Sequence, residues 1–402
     1  MLTRPGWLVL AGAVGSFFVG RLFGLVELYL LGASLVVLVA LGVARVLLTR
    51  LRLEVGRQVT PRRVHAGQPA RVELTVTNRS DRPTPVLRLH DPVTGTQGAT
   101  VLLAPVAEGL IVRSAYRLPT ERRGIVGIGP LGVVLTDPFG LATVRAQAAP
   151  RSELTVLPRI HDVIPPPVAG GDEPLAGLRQ VALATSAGDD FSALREYVVG
   201  DDLRRVHWPS SARHGDLLIR QDEIHWQGRT TVVLDTRVHT HRGESFEIAV
   251  SAAASLVSAA WKRRDLLRLV TTAGFDSGVV GGAAHVEQLL EVLATVAPAQ
   301  PGSLRGLMES VHRGGSASVV VLVGSVGARE LLSVLSLGAA VGSAVVVATA
   351  PGAGQRPGTT GVDTRANHPD ILLLDDRPFA PTWNTAMLTK RARRSRPRGI
   401  GR

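Results

Sequence analysis

Two apolar runs at the start of the chain restrict its fold more than any other feature. They extend over residues 7–26 and 28–48, and Arg21 and Arg45 lie near their ends. Each run has about the 20 apolar residues that a membrane-spanning helix requires. A cleaved signal peptide would explain the first run but not the second, and buried core helices would contain more polar residues. The sequence therefore predicts a transmembrane helical hairpin over residues 1–50.

The cations that flank these runs predict how the hairpin is oriented. The turn between the runs contains only Arg21 and Glu27, whereas five arginines follow the second run: Arg50, Arg52, Arg57, Arg62 and Arg63. Loops with excess Lys and Arg stay in the cytoplasm. We therefore expect a plasma-membrane protein with two transmembrane helices and its soluble domains in the cytoplasm.

Composition limits the remaining chemistry. The chain has 45 Lys and Arg against 33 Asp and Glu, a net charge of +12, and no cysteine. Disulfides, a thiolate nucleophile and Cys-ligated metals are therefore excluded. Part of the excess charge lies near the C-terminus: Lys390, Arg391, Arg393, Arg394, Arg396, Arg398 and Arg402. No nucleic-acid recognition motif accompanies these residues, so we expect no nucleic-acid partner. Residues 377–402 are expected to form a helix and a basic tail near anionic lipid.

The next hundred residues alternate apolar and polar side chains, which is typical of strands with one buried face. RVELTVTNRS, PVLRLHDP, ATVLLAP and LIVRSAYRL are the clearest of these runs. Their spacing predicts an all-β, Ig-like sandwich over residues 51–160. The glycines and prolines of residues 122–141 suit tight turns at a sheet edge, and the DPFG of residues 137–140 is expected to be a turn.

Residues 161–185 are rich in proline and glycine and predict a linker. Over residues 230–376, apolar β-branched runs alternate with helical patterns. The strand candidates are TTVVLD, LLRLVT, VVVLVG, SAVVVAT and DILLLD. Strands of this kind, separated by helices, predict a mostly parallel, Rossmann-type sheet covered on both faces. The fold class is therefore multidomain: a helical hairpin, a β-sandwich and an α/β domain.

Between the linker and the α/β domain lies a stretch that mixes acidic, arginine and aromatic side chains. We call residues 186–229 the signature segment. Its candidate partner-binding residues are Asp189, Asp190, Arg195, Glu196, Tyr197, Gly200, Asp201, Asp202, Arg204, Arg205, Trp208 and Arg213. Mixed charge alone is also typical of a solvated surface. The interleaved aromatics favour arginines stacked on rings and paired with carboxylates.

One part of the signature segment is similar to a known family. The motif LREYVVGDDLRRVHWPSSAR is followed by LLIRQ and by a predicted strand that ends in Asp235. This arrangement resembles the bacterial "domain of unknown function 58" family. The segment of residues 122–141 resembles the same family. The resemblance implies a membrane hairpin, a β-domain and a von Willebrand factor A-type (vWA) domain in one chain. It also implies two partners, a MoxR-type AAA+ ATPase and a transglutaminase-like membrane protein, because members of the family are commonly encoded beside both.

The vWA resemblance implies a metal loop directly after the first strand of the α/β domain. Metal-binding vWA domains use Asp-x-Ser-x-Ser there, and Mg²⁺ prefers such oxygen ligands. Here the loop reads Asp235-Thr236-Arg237-Val238-His239, with Arg237 and His239 at the serine positions. We interpret the metal site as degenerate and expect no metal and no cofactor. His239 and His241 lack a third zinc ligand and are expected to be exposed.

These features predict a scaffold or adaptor and no enzyme. The signature segment would join the β-domain to the vWA-like domain and receive the partner, with Trp208 largely buried and with Arg204 and Arg205 facing carboxylates. The alternative is an enzyme that uses Asp189, Asp190, Asp201 and Asp202 as a carboxylate pair or metal site. Neighbouring arginines argue against it, because nearby cations keep carboxylates ionised and make them poor acids.

Overall fold

A computed structural model of the chain describes residues 2–49, 52–167, 194–197, 206, 208–220, 228–300, 302–313, 318–325, 327, 330, 334, 343–349, 371–374 and 377–394. The chain divides into two compact units, Met1–Pro158 and Arg159–Arg402.

The first unit begins with two helices, α1 (Arg4–Phe23) and α2 (Val26–Leu48). The side chain of Thr3 caps α1 by accepting a hydrogen bond from the Gly6 amide, and Gly24 ends it with a φ of 70°. Most of the apolar side chains on both helices are exposed. Both helices are long and apolar enough to cross a membrane.

Small residues bring the two helices together. A Cβ atom at Gly32 would lie 3.0 Å from the carbonyl oxygen of Ala13, and one at Gly20 would lie 3.2 Å from that of Leu25. Close approach of backbones at small residues is the usual packing of helices in lipid. The exposed apolar surface and this interface agree with the predicted hairpin.

Ten strands follow in the first unit: β1 (Leu53–Thr60), β2 (Arg63–His65), β3 (Arg71–Asn78), β4 (Leu87–Asp91), β5 (Ala99–Leu103), β6 (Ile111–Arg117), β7 (Gly124–Ile128), β8 (Leu131–Thr136), β9 (Thr143–Ala149) and β10 (Ser152–Leu157). They form sheets of order β1-β3-β6, β5-β4-β8-β9 and β2-β10-β7. Only the β2–β10 pair is parallel among these strands. The alternation of apolar residues thus predicted the strands correctly. Residues 122–141 were expected to form turns at a sheet edge: β7 is an edge strand and residues 137–140 form a turn, whereas β8 lies inside its sheet.

A buried polar cluster crosses the apolar core between these sheets. The Arg57 side chain on β1 donates to the Asp91 carboxylate on β4 at 2.8 Å, and the two side chains are 2% and 1% exposed. The Tyr116 hydroxyl on β6 donates to the other oxygen of Asp91 at 2.7 Å. Burial, followed by the hydrogen bond to Asp91, raises the pKa of Tyr116. The cluster therefore ties both sheets together.

We predict that Asp91→Ala destabilises the first unit by about 3–5 kcal/mol, because it leaves the buried Arg57 guanidinium without its counter-charge. Glu54→Ala is the matched control, since it breaks an Arg79–Glu54 pair whose side chains are both largely exposed. Its cost should stay below about 1 kcal/mol. Chemical denaturation of the full chain in detergent, followed by circular dichroism, measures both. Equal effects would contradict the role of the buried pair.

The second unit contains a sheet of five parallel strands: β13 (Gly228–Leu234), β14 (Asp265–Thr271), β15 (Ser318–Val323), β16 (Ala344–Ala348) and β17 (Ile371–Leu373). Their order is β14-β13-β15-β16-β17. These strands match the five apolar runs from which the parallel sheet was predicted. A short antiparallel pair, β11 (Leu194–Glu196) and β12 (Leu218–Arg220), precedes them.

Helices cover both faces of this sheet. They are α4 (Ser245–Lys262), α5 (Ala283–Thr295), α6 (Leu304–Arg313) and α7 (Phe379–Arg394), and a shorter helix, α3 (Trp208–His214), precedes β12. On one face, Leu304, Met308 and Val311 of α6 pack with Val233 and Val321 of the sheet. Helix α4 contacts β13, β14 and β15, and also α5 and α7. The buried strands and their flanking helices define a doubly wound α/β fold.

An extended segment, residues 159–167, is fixed to the second unit. The Ile164 amide donates to the side chain of Asn384, and the indole of the buried Trp383 donates to the Ile164 carbonyl, both at 2.8 Å. The His161 amide donates to Ser255 on α4. Of residues 161–167, with which the predicted linker starts, His161, Asp162, Ile164 and Pro166 are thus hydrogen-bonded to the rest of this unit. Residues 168–185 lie outside the described part of the chain.

Candidate functional site

The candidate site lies at the carboxyl end of the parallel sheet. In doubly wound folds of this strand order, ligands bind where successive connections leave the sheet in opposite directions. Here that point is between β13 and β15. Asp235 follows β13 directly, and Gly324 and Ser325 follow β15. Thr272 follows the neighbouring strand β14, so three loops converge on the position of Asp235.

The Asp235 carboxylate is neutralised by an arginine two residues further along the chain. Arg237 Nε lies 2.8 Å from Asp235 Oδ1, and Arg237 Nη2 lies 2.9 Å from Oδ2. The Arg237 amide also donates to Oδ1. This two-pronged geometry is the strongest form of an arginine–carboxylate pair. The Asp235 side chain is completely buried, and that of Arg237 nearly so.

A second carboxylate completes the arrangement. Arg237 Nη1 donates to Glu330 Oε1 at 2.8 Å, and the Glu330 side chain is 33% exposed. The guanidinium therefore joins the loop after β13 to the segment after β15. The remaining contacts of Asp235 come from hydroxyls: Thr240 Oγ1 lies 3.0 Å from Oδ2, and Thr272 Oγ1 lies 3.3 Å from Oδ1.

The backbone of the loop after β15 is in direct contact with the backbone of the loop after β13. The Ser325 amide donates to the Thr240 carbonyl at 2.6 Å. A Cβ atom at Gly324 would lie 2.0 Å from the same carbonyl oxygen. Only glycine allows this contact, which explains why the strand VVVLVG ends in a residue without a side chain.

The two histidines of this loop have different environments. His239 is exposed, as the sequence predicted. His241 is not exposed, and the prediction was wrong for this residue. Its Nε2 lies 2.7 Å from the Asp235 carbonyl oxygen, and its ring packs edge-on against Phe246 with centroids 5.1 Å apart. Burial lowers the pKa of His241, despite the opposing influence of Asp235.

The electrostatics of the site favour permanent charge pairing. Burial alone would raise the pKa of Asp235, but the hydrogen bonds and charge of Arg237 outweigh it, so the pKa is lowered. Burial would lower the pKa of Arg237, but Asp235 and Glu330 raise it. A carboxyl group whose pKa is lowered in the folded state stabilises the fold above its unfolded pKa, and this contribution is lost as the pH falls through the folded pKa. Acidification should therefore weaken the site.

This arrangement offers little to acid–base or metal chemistry. The Asp235 carboxylate is held ionised and fully hydrogen-bonded, so it is a poor proton donor. A divalent ion would have to displace the guanidinium from the same two oxygens. Among the described residues, no group of three or more His, Cys, Asp or Glu side chains could hold a metal. The loop after β13 therefore contains a fixed ion pair between Asp235 and Arg237.

The structure describes part of the signature segment. Asp189, Asp190, Gly200, Asp201, Asp202, Arg204 and Arg205 lie outside the described residues. Arg195 and Glu196 lie on β11. Tyr197 is half-buried, and its amide donates to the Leu217 carbonyl. Arg213 lies exposed on α3.

The expectation of a buried Trp208 was wrong. This side chain lies on α3 and is 64% exposed. The helix is fixed by a smaller residue, because the buried Ser211 accepts a hydrogen bond from the Leu218 amide at 2.8 Å. An aromatic residue among charged residues therefore does not anchor this segment at position 208.

Sequence reasoning missed Glu330, Thr240 and Thr272. The two threonines carry a signal that could have been used, because each lies within a few residues of the end of a predicted strand. Glu330 lies seven residues after the end of β15, in a helical pattern where an acidic residue is unremarkable. Its pairing depends on the packing of one loop on another, which no local pattern encodes.

Comparison with known protein families gives a match, which lies within the second unit. Residues 193–348 match the family model described as "Protein of unknown function DUF58". This match agrees with the resemblance noted in the signature segment. No curated protein matches the sequence.

Several solved structures resemble parts of the chain weakly. The CARDB domain of the PF1109 protein from Pyrococcus furiosus is 13% identical, with 26% of this chain and 93% of that chain covered and a TM-score of 0.22. The putative ApaA protein from Bordetella pertussis is 13% identical, with 27% and 94% covered and a TM-score of 0.19. Similarities of this size carry no argument about function.

We predict that Arg237→Ala destabilises the second unit by about 3–5 kcal/mol, because it leaves the Asp235 carboxylate buried without a counter-charge. Arg242→Ala is the matched control, since this exposed arginine belongs to the same loop. Its effect should stay within about 0.5 kcal/mol. Urea denaturation followed by tryptophan fluorescence measures both, because Trp383 is fully buried in this unit. Equal stability of the two variants would contradict the charge pairing.

Proposed function

We propose that this protein is a membrane-anchored scaffold whose second unit binds a protein partner. The observation that carries the proposal is the Arg237 guanidinium on the Asp235 carboxylate. It lies where a doubly wound sheet normally receives its ligand. Because the chain fills this position with its own cation, the edge of the sheet is better suited to present a rigid surface than to perform chemistry.

The fold supports a vWA-like assignment for the second unit. A parallel sheet with helices on both faces and an aspartate directly after its first strand is the framework that such an assignment requires. In the loop that follows, Arg237 replaces a metal-ligating serine. The proposed domain therefore keeps the framework and replaces the divalent ion by a fixed charge.

The two apolar helices are proposed to anchor the scaffold in the plasma membrane. Most of their apolar side chains are exposed in the first unit, as the lipid-facing side chains of membrane helices are. Because five arginines follow α2, the domains after it should lie in the cytoplasm.

A reporter fused after Arg402 tests this orientation. Alkaline phosphatase should be inactive and green fluorescent protein fluorescent, because both the N-terminus and the C-terminus would be cytoplasmic. As a control, a phosphatase inserted at Gly24, in the turn between the helices, should be active. The reverse pattern would contradict the proposed topology and remove contact with any cytoplasmic partner.

The proposed partners are a MoxR-type AAA+ ATPase and a transglutaminase-like membrane protein. The family resemblance suggests both. Such an adaptor would couple ATP-driven remodelling to an envelope-related or protein-maturation process. The exposed Trp208 on α3 supports a landing surface in the signature segment, because tryptophan and arginine dominate the binding energy of protein interfaces.

We predict that Trp208→Ala weakens recovery of the ATPase roughly thirtyfold, since truncating a central interface tryptophan costs about 2 kcal/mol or more. The full chain in detergent would be used to capture the neighbouring MoxR-type ATPase in the presence of a non-hydrolysable ATP analogue. Leu388→Ala on α7 is the control, because it removes another largely exposed apolar side chain of the same unit. The melting temperature should be unchanged in both variants. Wild-type recovery by Trp208→Ala would exclude this surface.

A further inference from the structure

The hairpin turn between β8 and β9 is fixed to the start of α1. The Thr3 hydroxyl donates to the Gly140 carbonyl, and the Thr3 amide donates to the Leu141 carbonyl at 2.9 Å. Leu2 pairs with Ala142 as an isolated antiparallel bridge. The turn, residues 137–140, therefore cannot move away from the first residues of the chain without breaking these bonds.

The same turn also contacts the far part of α2. A Cβ atom at Gly42 would lie 3.2 Å from the Asp137 carboxylate, and one at Gly6 would lie 2.2 Å from the Leu141 carbonyl oxygen. Glycines at these two positions allow the turn to lie directly against both helices. One turn further along α2, Val46 packs into the core of the β-strands. The strands and the helices are thus one packed body at this end of the hairpin.

The position of this contact along α2 sets the depth of the turn. From Val26 to Gly42 the helix rises about 24 Å at 1.5 Å per residue. The hydrocarbon core of a bilayer is about 30 Å thick. If the tip of the hairpin at Gly24 reaches the opposite membrane surface, Gly42 and the turn beside it lie at the near boundary between hydrocarbon and headgroups.

The side chains at this level suit that boundary. Phe139, at the tip of the turn, is 65% exposed, and Trp7 on α1 is 61% exposed. Aromatic side chains are enriched where the hydrocarbon meets the headgroups. The one charge of the turn is shielded: the Asp137 carboxylate is buried and accepts hydrogen bonds from the amides of Phe139 and Ala142.

We propose that the turn of residues 137–140 is a membrane-docking element that inserts Phe139 into the interfacial layer of the bilayer. The occupant of this surface is lipid, because the turn is continuous with the two apolar helices and lies at the depth where they leave the hydrocarbon. This inference rests on the proposed membrane anchor. It adds a third contact with the bilayer, made by the β-strand region, which would hold that region against the membrane surface.

Spin labels on single cysteines test this inference directly, because the natural chain contains no cysteine. Phe139→Cys, Leu30→Cys and Glu121→Cys would be labelled in the full chain, reconstituted in vesicles of phosphatidylcholine and phosphatidylglycerol. Leu30 is an exposed residue of α2. Glu121 is exposed and follows β6. The last residue of β6, Arg117, pairs with Arg71 of β3, which in turn pairs with Thr60 at the end of β1. Glu121 therefore lies at the end of these strands that is distant from α2. Accessibility to oxygen, which concentrates in lipid, and to a water-soluble nickel chelate gives the depth of each label.

We expect the label at position 139 to favour oxygen over the nickel chelate, at a depth between those of the labels at positions 30 and 121. A label at 139 as accessible to nickel as the one at 121, with a lipid-buried label at 30, would overturn the docking element and leave the anchor intact. A label at 139 shielded from both reagents would indicate a protein contact and would also overturn it. An aqueous label at position 30 would refute the anchor itself, and the inference with it.

Discussion

A buried carboxylate needs a counter-charge, and the arrangement of the second unit follows from how Asp235 obtains one. Its partner, Arg237, is two residues away and binds both carboxylate oxygens. The same guanidinium reaches Glu330 after the next strand of the sheet. The charge pair therefore fixes the loops at the carboxyl end of the parallel sheet, and the proposed scaffold role rests on this rigidity.

The core of the first unit also contains a buried carboxylate that is paired with an arginine. Arg57 and Asp91 are paired with almost no exposure to solvent, and the Tyr116 hydroxyl completes the hydrogen bonding of the carboxylate. Buried pairs of this kind add little net stability compared with apolar packing, but breaking one is costly. Here the pair joins β1 to β4, which belong to different sheets. In both units, an internal arginine holds together elements that are distant in the sequence.

The sequence predicted the features that depend on periodicity and length. The two apolar helices, the β-strands and the five parallel strands all come from patterns within short windows. The role of Glu330 and the exposure of Trp208 depend on tertiary packing, which no short window contains. Segment 159–167 was missed for another reason. Proline-rich composition predicts a linker, whereas hydrogen bonds of Ile164 with Trp383 and Asn384, more than 200 residues later, fix this segment within the second unit.

We propose that Arg237 takes the place of a divalent ion at Asp235. Calorimetric titration of the full chain in detergent with Mg²⁺ and Mn²⁺ tests this substitution. We expect no saturable heat of binding, because a metal would have to displace a buried guanidinium that is held by two carboxylates. Saturable binding in the micromolar range that disappears in Asp235→Asn would show that the carboxylate binds a metal and that Arg237 does not replace it.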